Sequence, residues 1–195
     1  MERLWNLMKI SSYKFVDKKQ NRACTVWIPP KAGSLKVNFD GANGGNPSKL
    51  GYGAIIRDEF GNFVGANFGP LGVTSNNMAE IAGLLAGLEW SAGRGFRSLE
   101  IEGDSLIVLN GIINQKFENW KLEASRPKIQ GLCDSLDRYS LKHIYREGNS
   151  AADWLANRGI ECEVPTQLSQ VKELPDGLIS VLAADKVGIP RTEIG

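Results

Sequence analysis

Residues 35–42, Leu-Lys-Val-Asn-Phe-Asp-Gly-Ala, restrict the possible folds of this chain more than any other stretch. Apolar and polar side chains alternate along it, which predicts a β-strand with one apolar face. A carboxylate inside such a strand, here Asp40, is costly to bury unless another group neutralises it. Asp-Gly is also a common hairpin turn, but residues 43–48 give denser turn signals just afterwards. We therefore expect Asp40 to stay in the strand, with a structural and a functional role both open.

The composition indicates one domain of ordinary size with a tail at each end. The chain has 195 residues, a mass of 21.3 kDa and 42% hydrophobic residues. We predict a basic N-terminal extension over residues 1–33, a domain over residues 34–162 and a C-terminal tail over residues 163–195. The extension has 7 Lys and Arg residues against 2 Asp and Glu residues, so it is either a nucleic-acid-binding arm or a solubilising tail.

The sequence carries no sign of a membrane or secreted protein. No apolar run approaches the roughly 18 residues that span a bilayer, and the N-terminus does not have the pattern of a signal peptide. The cysteines, Cys24, Cys133 and Cys162, are far apart, which favours neither a zinc site nor a disulfide framework. We expect an intracellular protein of the nucleus or cytoplasm, with no membrane partner and a monomeric state.

Hydrophobic periodicity predicts an α/β order of elements. Residues 51–58 and 63–68 are two further predicted strands, which short turns join to the first in an antiparallel meander. A helix is predicted over residues 75–93 and a fourth strand over residues 98–103. Because a helix precedes the fourth strand, we expect this strand to run parallel to the first.

The second half of the chain continues the alternation of helices and strands. A helix begins at Asp104 or Ser105, and the next predicted elements are a helix over residues 122–139 and a strand over residues 141–145. Asn149 is expected to cap a last helix that ends at Arg158-Gly159. Beyond residue 163, only residues 177–184 have a helical pattern.

Three more acidic residues lie where helices begin, and each has a structural explanation. Asp104 can cap the helix that it opens, and Glu80 can complete a capping box with Asn77. Asp153 falls in the first turn of the last helix, where the helix dipole favours an acidic residue. Each of these acids is therefore compatible with a purely structural role.

The topology nevertheless predicts that the acids share one site. In a sheet whose first and fourth strands are parallel neighbours, Asp40 and Asp104 emerge side by side, and the helix bearing Glu80 leads into the fourth strand. Clustered carboxylates repel one another unless cations bind between them, and oxygen ligands alone select Mg²⁺ or Mn²⁺. Two such ions about 3.5–4 Å apart can activate water and stabilise a leaving oxygen in phosphodiester hydrolysis.

Four motifs, in this order and spacing, resemble those of the ribonuclease H family. They are Phe39-Asp40-Gly41-Ala42, Ser75-Asn76-Asn77-Met78-Ala79-Glu80, Glu102-Gly103-Asp104-Ser105 and, over residues 143–156, His-Ile-Tyr-Arg-Glu-Gly-Asn-Ser-Ala-Ala-Asp-Trp-Leu-Ala. Within the family, residues 34–162 resemble the ribonuclease H-like domains of plant non-LTR retroelements and their domesticated relatives. The stretch from Leu174 to Gly188 also looks like the ends of those plant proteins.

The resemblance implies an α/β, ribonuclease H-like fold: a five-stranded mixed sheet, three antiparallel strands and then two parallel ones, flanked by helices. It implies that two Mg²⁺ ions, for which Mn²⁺ can substitute, bind at four catalytic acids, Asp40, Glu80, Asp104 and Asp153. The implied reaction is endonucleolytic cleavage of the RNA strand of an RNA–DNA hybrid, leaving 3′-hydroxyl and 5′-phosphate ends.

The resemblance also implies a set of substrate-binding residues: Gly41, Ser75, Asn76, Asn77 and Arg146. Asn76 and Asn77 match positions that contact the minor groove of the hybrid, where the 2′-hydroxyl distinguishes RNA from DNA. An Asn side chain suits that contact because it offers both a donor and an acceptor.

Two features depart from the family pattern. Many members have a longer loop before the last helix with a histidine that assists proton transfer or product release, whereas this chain has Arg146-Glu147-Gly148 there. The single histidine, His143, is expected to be structural. The position after Ser105, often a glutamine in the family, is Leu106.

These departures leave two alternatives to a hybrid nuclease. One is a nucleic-acid-binding module that has kept the fold without useful activity, and the other is a two-metal exonuclease or transposase-like nuclease of the same fold. Among the tryptophans, Trp90 and Trp154 lie in predicted helices and are expected in the core. Trp120, in a less regular segment, is the best candidate for base stacking.

Overall fold

The computed structural model describes residues 26–45 and 49–189, which form one mixed sheet with helices on both faces. Most of the basic extension, including Cys24, the last three residues of the predicted turn (46–48) and residues 190–195 lie outside the described residues. Among the helices of the described part, none is both long and apolar enough to cross a membrane.

The sheet has six strands in the spatial order β5-β4-β1-β2-β3-β6. β1, β2 and β3 pair antiparallel, whereas β4 pairs parallel with both β1 and β5. This confirms the predicted meander and the predicted parallel pairing of the first and fourth strands. The strands are β1 (Leu35–Asn43), β2 (Leu50–Arg57), β3 (Phe63–Gly72), β4 (Ser98–Gly103), β5 (Arg138–His143) and β6 (Thr166–Leu168).

The predicted number of five strands is wrong, because β6 adds a sixth. It pairs antiparallel with β3, and Ala66 lies opposite Leu168 across the ladder. β6 is only three residues long and directly follows Pro165. A segment this short has no measurable alternation of side chains, so periodicity could not indicate it.

The predicted helix over residues 122–139 is also wrong. Pro127 occupies the first turn of α4, and because proline lacks a backbone N–H it is tolerated there but not inside a continuous helix. Two helices therefore replace the predicted one, and β5 already begins at Arg138. The helices are α1 (Asn76–Gly93), α2 (Leu106–Ile113), α3 (Trp120–Glu123), α4 (Arg126–Asp134), α5 (Ser150–Glu161) and α6 (Asp176–Lys186).

Two hydrophobic clusters cover the two faces of the sheet. The larger cluster packs β1, β4 and β5 against α1, α2 and α4, and Trp90 of α1 is buried in it as predicted. The smaller cluster packs β2 and β3 against α5 and α6, with Trp154 at its margin. The sheet therefore holds α1 and α5, which both carry predicted site residues, on opposite faces.

Glycines allow α1 and α5 to approach the central strands closely. A Cβ atom at Gly41 would lie 2.5 Å from the backbone nitrogen of Glu80, and one at Gly53 would lie 2.4 Å from that of Ala156. Both distances are too short for a side-chain carbon. The start of α1 is thus held directly against β1, and the middle of α5 directly against β2.

A row of buried polar side chains crosses β4, β1 and β2. Lys36 pairs with Glu102, with Nζ and Oε1 2.5 Å apart, and Arg57 pairs with Asp185 of α6, with Nη1 and Oδ2 2.7 Å apart. Asn38 lies between the two pairs, and its Oδ1 accepts a hydrogen bond from Arg57. All five side chains are buried. Burying an unpaired charge is costly, and here each of the four charges has an opposite charge beside it.

Residues 27–31 pack over this row. Trp27 is buried, donates from Nε1 to Asn38 Oδ1 at 2.9 Å, and lies with its ring centre 3.6 Å from the guanidinium carbon of Arg57. The carbonyl oxygen of Ile28 accepts a hydrogen bond from Lys36. Residues 27–31, before the predicted domain, and α6, after it, therefore both pack on the sheet.

Candidate active site

Three of the predicted acids converge at one end of β1. Asp40 lies in β1, Glu80 in α1 and Asp104 directly after β4, and each offers a carboxylate oxygen within 4.8 Å of the others. The parallel pairing explains the approach of the two strand acids, because Asn38 and Glu102, two residues before each acid, are register partners. The close packing of Gly41 on Glu80 adds the third carboxylate.

Neither Glu80 nor Asp104 caps a helix. Ser75 is the N-cap of α1, and its hydroxyl accepts a hydrogen bond from the backbone N–H of Met78. Ser105 is the N-cap of α2 and accepts from Val108. The two capping explanations for these acids are therefore wrong, and both carboxylates are available for the cluster.

The cluster raises the pKa of all three acids. Burial, followed by the charges of Asp104 and Asp153, raises the pKa of Asp40 well above its ordinary value. Burial, followed by the charge of Asp40, raises the pKa of Glu80 to about 10. Burial also raises the pKa of Asp104. A cation placed among these carboxylates would reverse the effect, because an opposite charge favours the ionised form.

The donor set fits a hard divalent cation. The three converging groups offer only carboxylate oxygens, the ligand type that Mg²⁺ and Mn²⁺ prefer. Within the described part of the chain, the buried Oε2 atom of Glu80 has no hydrogen-bond partner. A buried carboxylate oxygen without a partner is costly, and coordination to a cation would satisfy it.

The fourth acid, Asp153, lies in the first turn of α5 as predicted. It is not one of the three residues whose oxygens lie within 4.8 Å of one another. Its Oδ1 instead accepts a hydrogen bond of 2.7 Å from Nη2 of Arg146. The charge of Asp153 nevertheless raises the pKa of Asp40, which indicates that it belongs to the same electrostatic environment.

The segment before α5 is a short 3-10 turn, Arg146–Gly148. His143, at the end of β5, lies with Nε2 3.1 Å from the backbone oxygen of Asp104 and packs edge-on against Tyr145. These contacts agree with the structural role expected for His143. The exposed Arg146 on this turn pairs with Asp153, and its charge offsets part of the rise in the pKa of Asp40 and Asp104.

The predicted substrate-binding residues surround the start of α1. Ser75 caps the helix, and Asn76 accepts a hydrogen bond from the side chain of Asn43 at the end of β1. Asn77 is partly exposed in the first turn of the same helix. These residues thus lie on the segment that leads to Glu80, and their contact with a substrate stays a prediction.

Sequence reasoning missed the role of Asn149. It occupies the N-cap position of α5 as predicted, but its side chain makes no capping bond. Its Nδ2 instead donates to the backbone oxygen of Phe39 in β1, at 2.9 Å. An Asn before a helix normally indicates a cap, so no signal in the sequence could have identified a partner 110 residues away.

Comparison with known proteins identifies the family. The profile of the family described as "Reverse transcriptase-like" matches residues 38–159. Ribonuclease HI of Halobacterium salinarum is 32% identical over 134 residues, which cover 68% of this chain and 67% of that protein. This chain belongs to the ribonuclease H family. The crystal structure of ribonuclease H1 from the same organism has a TM-score of 0.61 and 31% identity, over 66% of this chain and 98% of that one.

Two further similarities bear on the ribonuclease H assignment. A ribonuclease H1 isolated from compost, solved in complex with an RNA/DNA hybrid, has a TM-score of 0.60 and 28% identity, over 65% of this chain and 96% of that one. An Arabidopsis thaliana protein named as a ribonuclease H protein is 28% identical over 165 residues. That match covers 85% of this chain but 26% of the Arabidopsis protein. The predicted ribonuclease H-like fold and the predicted type of enzyme, a ribonuclease H, are confirmed.

Proposed function

We propose that this ribonuclease H is a divalent-metal-dependent endonuclease that hydrolyses the RNA strand of RNA–DNA hybrids. The observation that carries the proposal is the convergence of Asp40, Glu80 and Asp104 within 4.8 Å. The compost-derived relative solved with an RNA/DNA hybrid supports the choice of substrate. The longer Arabidopsis relative and the reverse transcriptase-like profile support a plant retroelement origin.

Four acids would hold two Mg²⁺ ions, or Mn²⁺ in their place: Asp40, Glu80, Asp104 and Asp153. When bound, such a pair of ions lowers the pKa of a water nucleophile and stabilises the leaving oxygen. Asp40 on β1 and Asp104, directly after the neighbouring β4, would be the central ligands, and Glu80 would help to hold the ion that activates water. Asp153 would be the more mobile ligand, because it also binds the exposed Arg146.

The chain's own polar groups would orient the hybrid. Asn76 and Asn77 offer donors and acceptors to 2′-hydroxyl groups in the minor groove, beside Ser75 and Gly41. Arg146 is exposed next to the acids, and a guanidinium can donate two hydrogen bonds to one phosphate. Each of these groups reaches solvent near the start of α1 or α5.

Trp120 is a candidate for base stacking at a more distant point of the substrate. Its side chain is 76% exposed, although aromatic rings of this size are usually well buried. The Nζ of Lys121 lies 5.6 Å from the centre of its ring. An exposed indole beside a cation suits a nucleotide, which presents a base to the ring and a phosphate to the charge.

The proposal is tested with an end-labelled RNA–DNA hybrid and Mg²⁺ or Mn²⁺, with double-stranded RNA and DNA as controls. The Asp40→Asn and Asp104→Asn variants are measured in parallel. We expect metal-dependent internal cuts in the RNA strand of the hybrid, and none from either variant. Loss of nucleotides from one end would favour an exonuclease instead. An intact hybrid with folded protein would favour a binding module without activity.

A further inference from the structure

We infer that Asn149 is a positioning residue of this site: its hydrogen bonds fix Asp153 and Arg146 relative to Asp40. The inference rests on the proposed function, because it concerns how the fourth acid reaches the other three. It adds a residue without a charge and without contact to the substrate. Asn149 makes hydrogen bonds to β1 on one side and to the start of α5 on the other.

On one side, Asn149 is bonded to the strand that carries Asp40. Its side chain is completely buried, and Nδ2 donates to the backbone oxygen of Phe39, the residue just before Asp40, at 2.9 Å. The parallel pairing of β1 with β4 ends at Asn38 and Glu102. The Phe39 carbonyl group therefore lies just past the β4 ladder, and Asn149 holds β1 at the point where the site begins.

On the other side, Asn149 is hydrogen-bonded to the backbone of Asp153, the fourth acid, and of Arg146, its ion-pair partner. Its backbone oxygen accepts from the N–H of Asp153 at 3.0 Å, and its own N–H donates to the oxygen of Arg146 at 2.9 Å. One residue thus has hydrogen bonds to the backbone of Arg146, of Asp153 and of Phe39. Any displacement of Asn149 from β1 would move the Arg146–Asp153 pair with it.

The side chain of Asn149 is not used as a helix cap. An Asn at the N-cap usually accepts from a backbone N–H in the first turn, but this one makes no such bond. Its Oδ1 is buried without a partner among the described residues, which is unfavourable for a polar atom. Helix capping therefore does not explain the side chain, and the bond to β1 does.

Docking of α5 as a whole does not explain Asn149 either. The middle of α5 is already seated on β2, where Gly53 leaves no room for a side chain beneath Ala156. Leu155 and Ala152 are completely buried in the cluster on that face. These contacts include Ala152 in the first turn, but they are made to β2, β3 and later elements and not to β1, which carries Asp40. The bond from Asn149 to Phe39 joins this turn to β1.

The test compares Asn149→Leu and Asn149→Ala with the wild type. Leu has the same number and branching of side-chain heavy atoms as Asn but no donor, so it removes the bond to Phe39 without leaving a cavity. The measurements are the melting temperature without metal, the Mn²⁺ dissociation constant by calorimetry, and kcat and KM on the hybrid. We expect Mn²⁺ binding about tenfold weaker and kcat about tenfold lower, as for other residues that orient metal ligands. KM for the hybrid should rise less than in Arg146→Ala, because the Asn149 variants keep the guanidinium.

Asp185→Asn serves as the control for lost stability. It removes the charge that pairs with the buried Arg57, so it should lower the melting temperature while leaving Mn²⁺ binding unchanged. If both Asn149 variants lose stability like this control but bind Mn²⁺ within about twofold of the wild type, Asn149 is merely structural and the inference is wrong. If Asn149→Leu does not fold, Asn149→Ser, whose hydroxyl is too short to reach Phe39, replaces it.

The same measurements separate this inference from the proposed function. If the wild type binds Mn²⁺ but cuts no hybrid, the nuclease proposal fails, and the Mn²⁺ dissociation constants still decide the role of Asn149. If the wild type binds no Mn²⁺, the role of Asn149 in setting metal affinity is refuted together with the two-metal site. If the wild type cuts the hybrid and the Asn149 variants bind Mn²⁺ as tightly as the wild type does, only the inference about Asn149 is refuted.

Discussion

Nη2 of Arg146 lies 2.7 Å from Oδ1 of Asp153, so the fourth acid of the site is paired with a cation from the chain itself. The Arg146 side chain is 70% exposed, yet its charge offsets part of the rise in the pKa of Asp40 and Asp104. Arg146 is therefore a counter-charge for the whole acidic cluster. In the proposed site Arg146 would compete with a bound cation for Asp153, and its exposed side chain could turn toward a phosphate.

Replacing Arg146 should change metal and substrate binding in opposite directions. Arg146→Ala makes the cluster more negative and frees Asp153, so the Mn²⁺ dissociation constant should fall by about 1.4- to fivefold, the range for an exposed pair worth roughly 0.2–1 kcal/mol. KM for the hybrid should rise, because a phosphate-binding cation is lost. Calorimetry and steady-state kinetics measure the two effects. Weaker Mn²⁺ binding by the variant would contradict this role.

Arg158→Ala is the matched control for Arg146→Ala. Arg158 is also an exposed arginine paired with an acid, Glu161, but both lie at the far end of α5. Its removal changes the net charge by the same amount. Neither the Mn²⁺ dissociation constant nor KM should change beyond experimental error, so an equal effect of both variants would indicate a general charge effect.

The raised pKa of Glu80 should make the stability of the metal-free protein depend on pH. The folded protein keeps a proton on Glu80 up to about pH 10, whereas the unfolded chain loses it near the ordinary pKa of 4.5. The folded state therefore binds more protons between these values, and this contribution to the unfolding free energy is complete below pH 4.5 and lost as pH rises to about 10.

Glu80→Gln tests this dependence because glutamine does not titrate. Urea unfolding between about pH 5 and about pH 9, without divalent ions, should show a smaller fall in unfolding free energy for the variant than for the wild type. Glu89→Gln, at an exposed position of the same helix, should keep the wild-type slope. Equal slopes for all three proteins would show that the Glu80 carboxyl group does not bind this proton.

Gly41 should not tolerate even alanine. Its Cβ would lie 2.5 Å from the nitrogen of Glu80, so the start of α1 must move away from β1, at a cost of about 1–3 kcal/mol or more. Because Glu80 moves with it, Mn²⁺ binding should weaken as well. Gly131→Ala is the control: nothing lies within 4 Å of the added carbon, and alanine in a helix should stabilise by about 0.5–1 kcal/mol. Chemical unfolding measures both.

Much of the site could be predicted from the sequence because its signals are local. The alternation around Asp40, the helical period that carries Glu80 and the parallel pairing that brings Asp104 beside Asp40 all depend on short stretches of chain. Pro127 was also visible in the sequence, and it should have divided the predicted helix over residues 122–139. That error came from giving periodicity more weight than a helix-breaking residue.

The remaining features could not be predicted because they depend on partners far away in the chain. Trp27 lies in the predicted N-terminal extension, two residues before a pair of prolines, yet it is buried on Arg57. Asn149 looked like a cap, yet its side chain is bonded to Phe39. The sequence around each residue is the same whether or not the distant partner is present, so only the tertiary structure reveals these contacts.

Trp27 and Asp185 should stabilise the protein through the same side chain, Arg57. Trp27 lies on one side of the buried guanidinium, and Asp185 binds its Nη1. Trp27→Ala should cost about 3–5 kcal/mol as a buried aromatic residue. Asp185→Asn should cost up to about 3–5 kcal/mol, because it leaves a buried charge without its ion-pair partner. Ile28→Ala, at an exposed neighbouring position, should have little effect.

The double variant decides whether the two residues act together. Once Trp27 is gone, water can reach Arg57, and the loss of the Asp185 charge should then cost less. We therefore expect the double variant to be more stable than the sum of the single effects predicts, by about 0.5–3 kcal/mol. Urea unfolding of the four proteins gives this coupling energy. Strict additivity would mean that the segments before residue 34 and after residue 162 stabilise the sheet independently of each other.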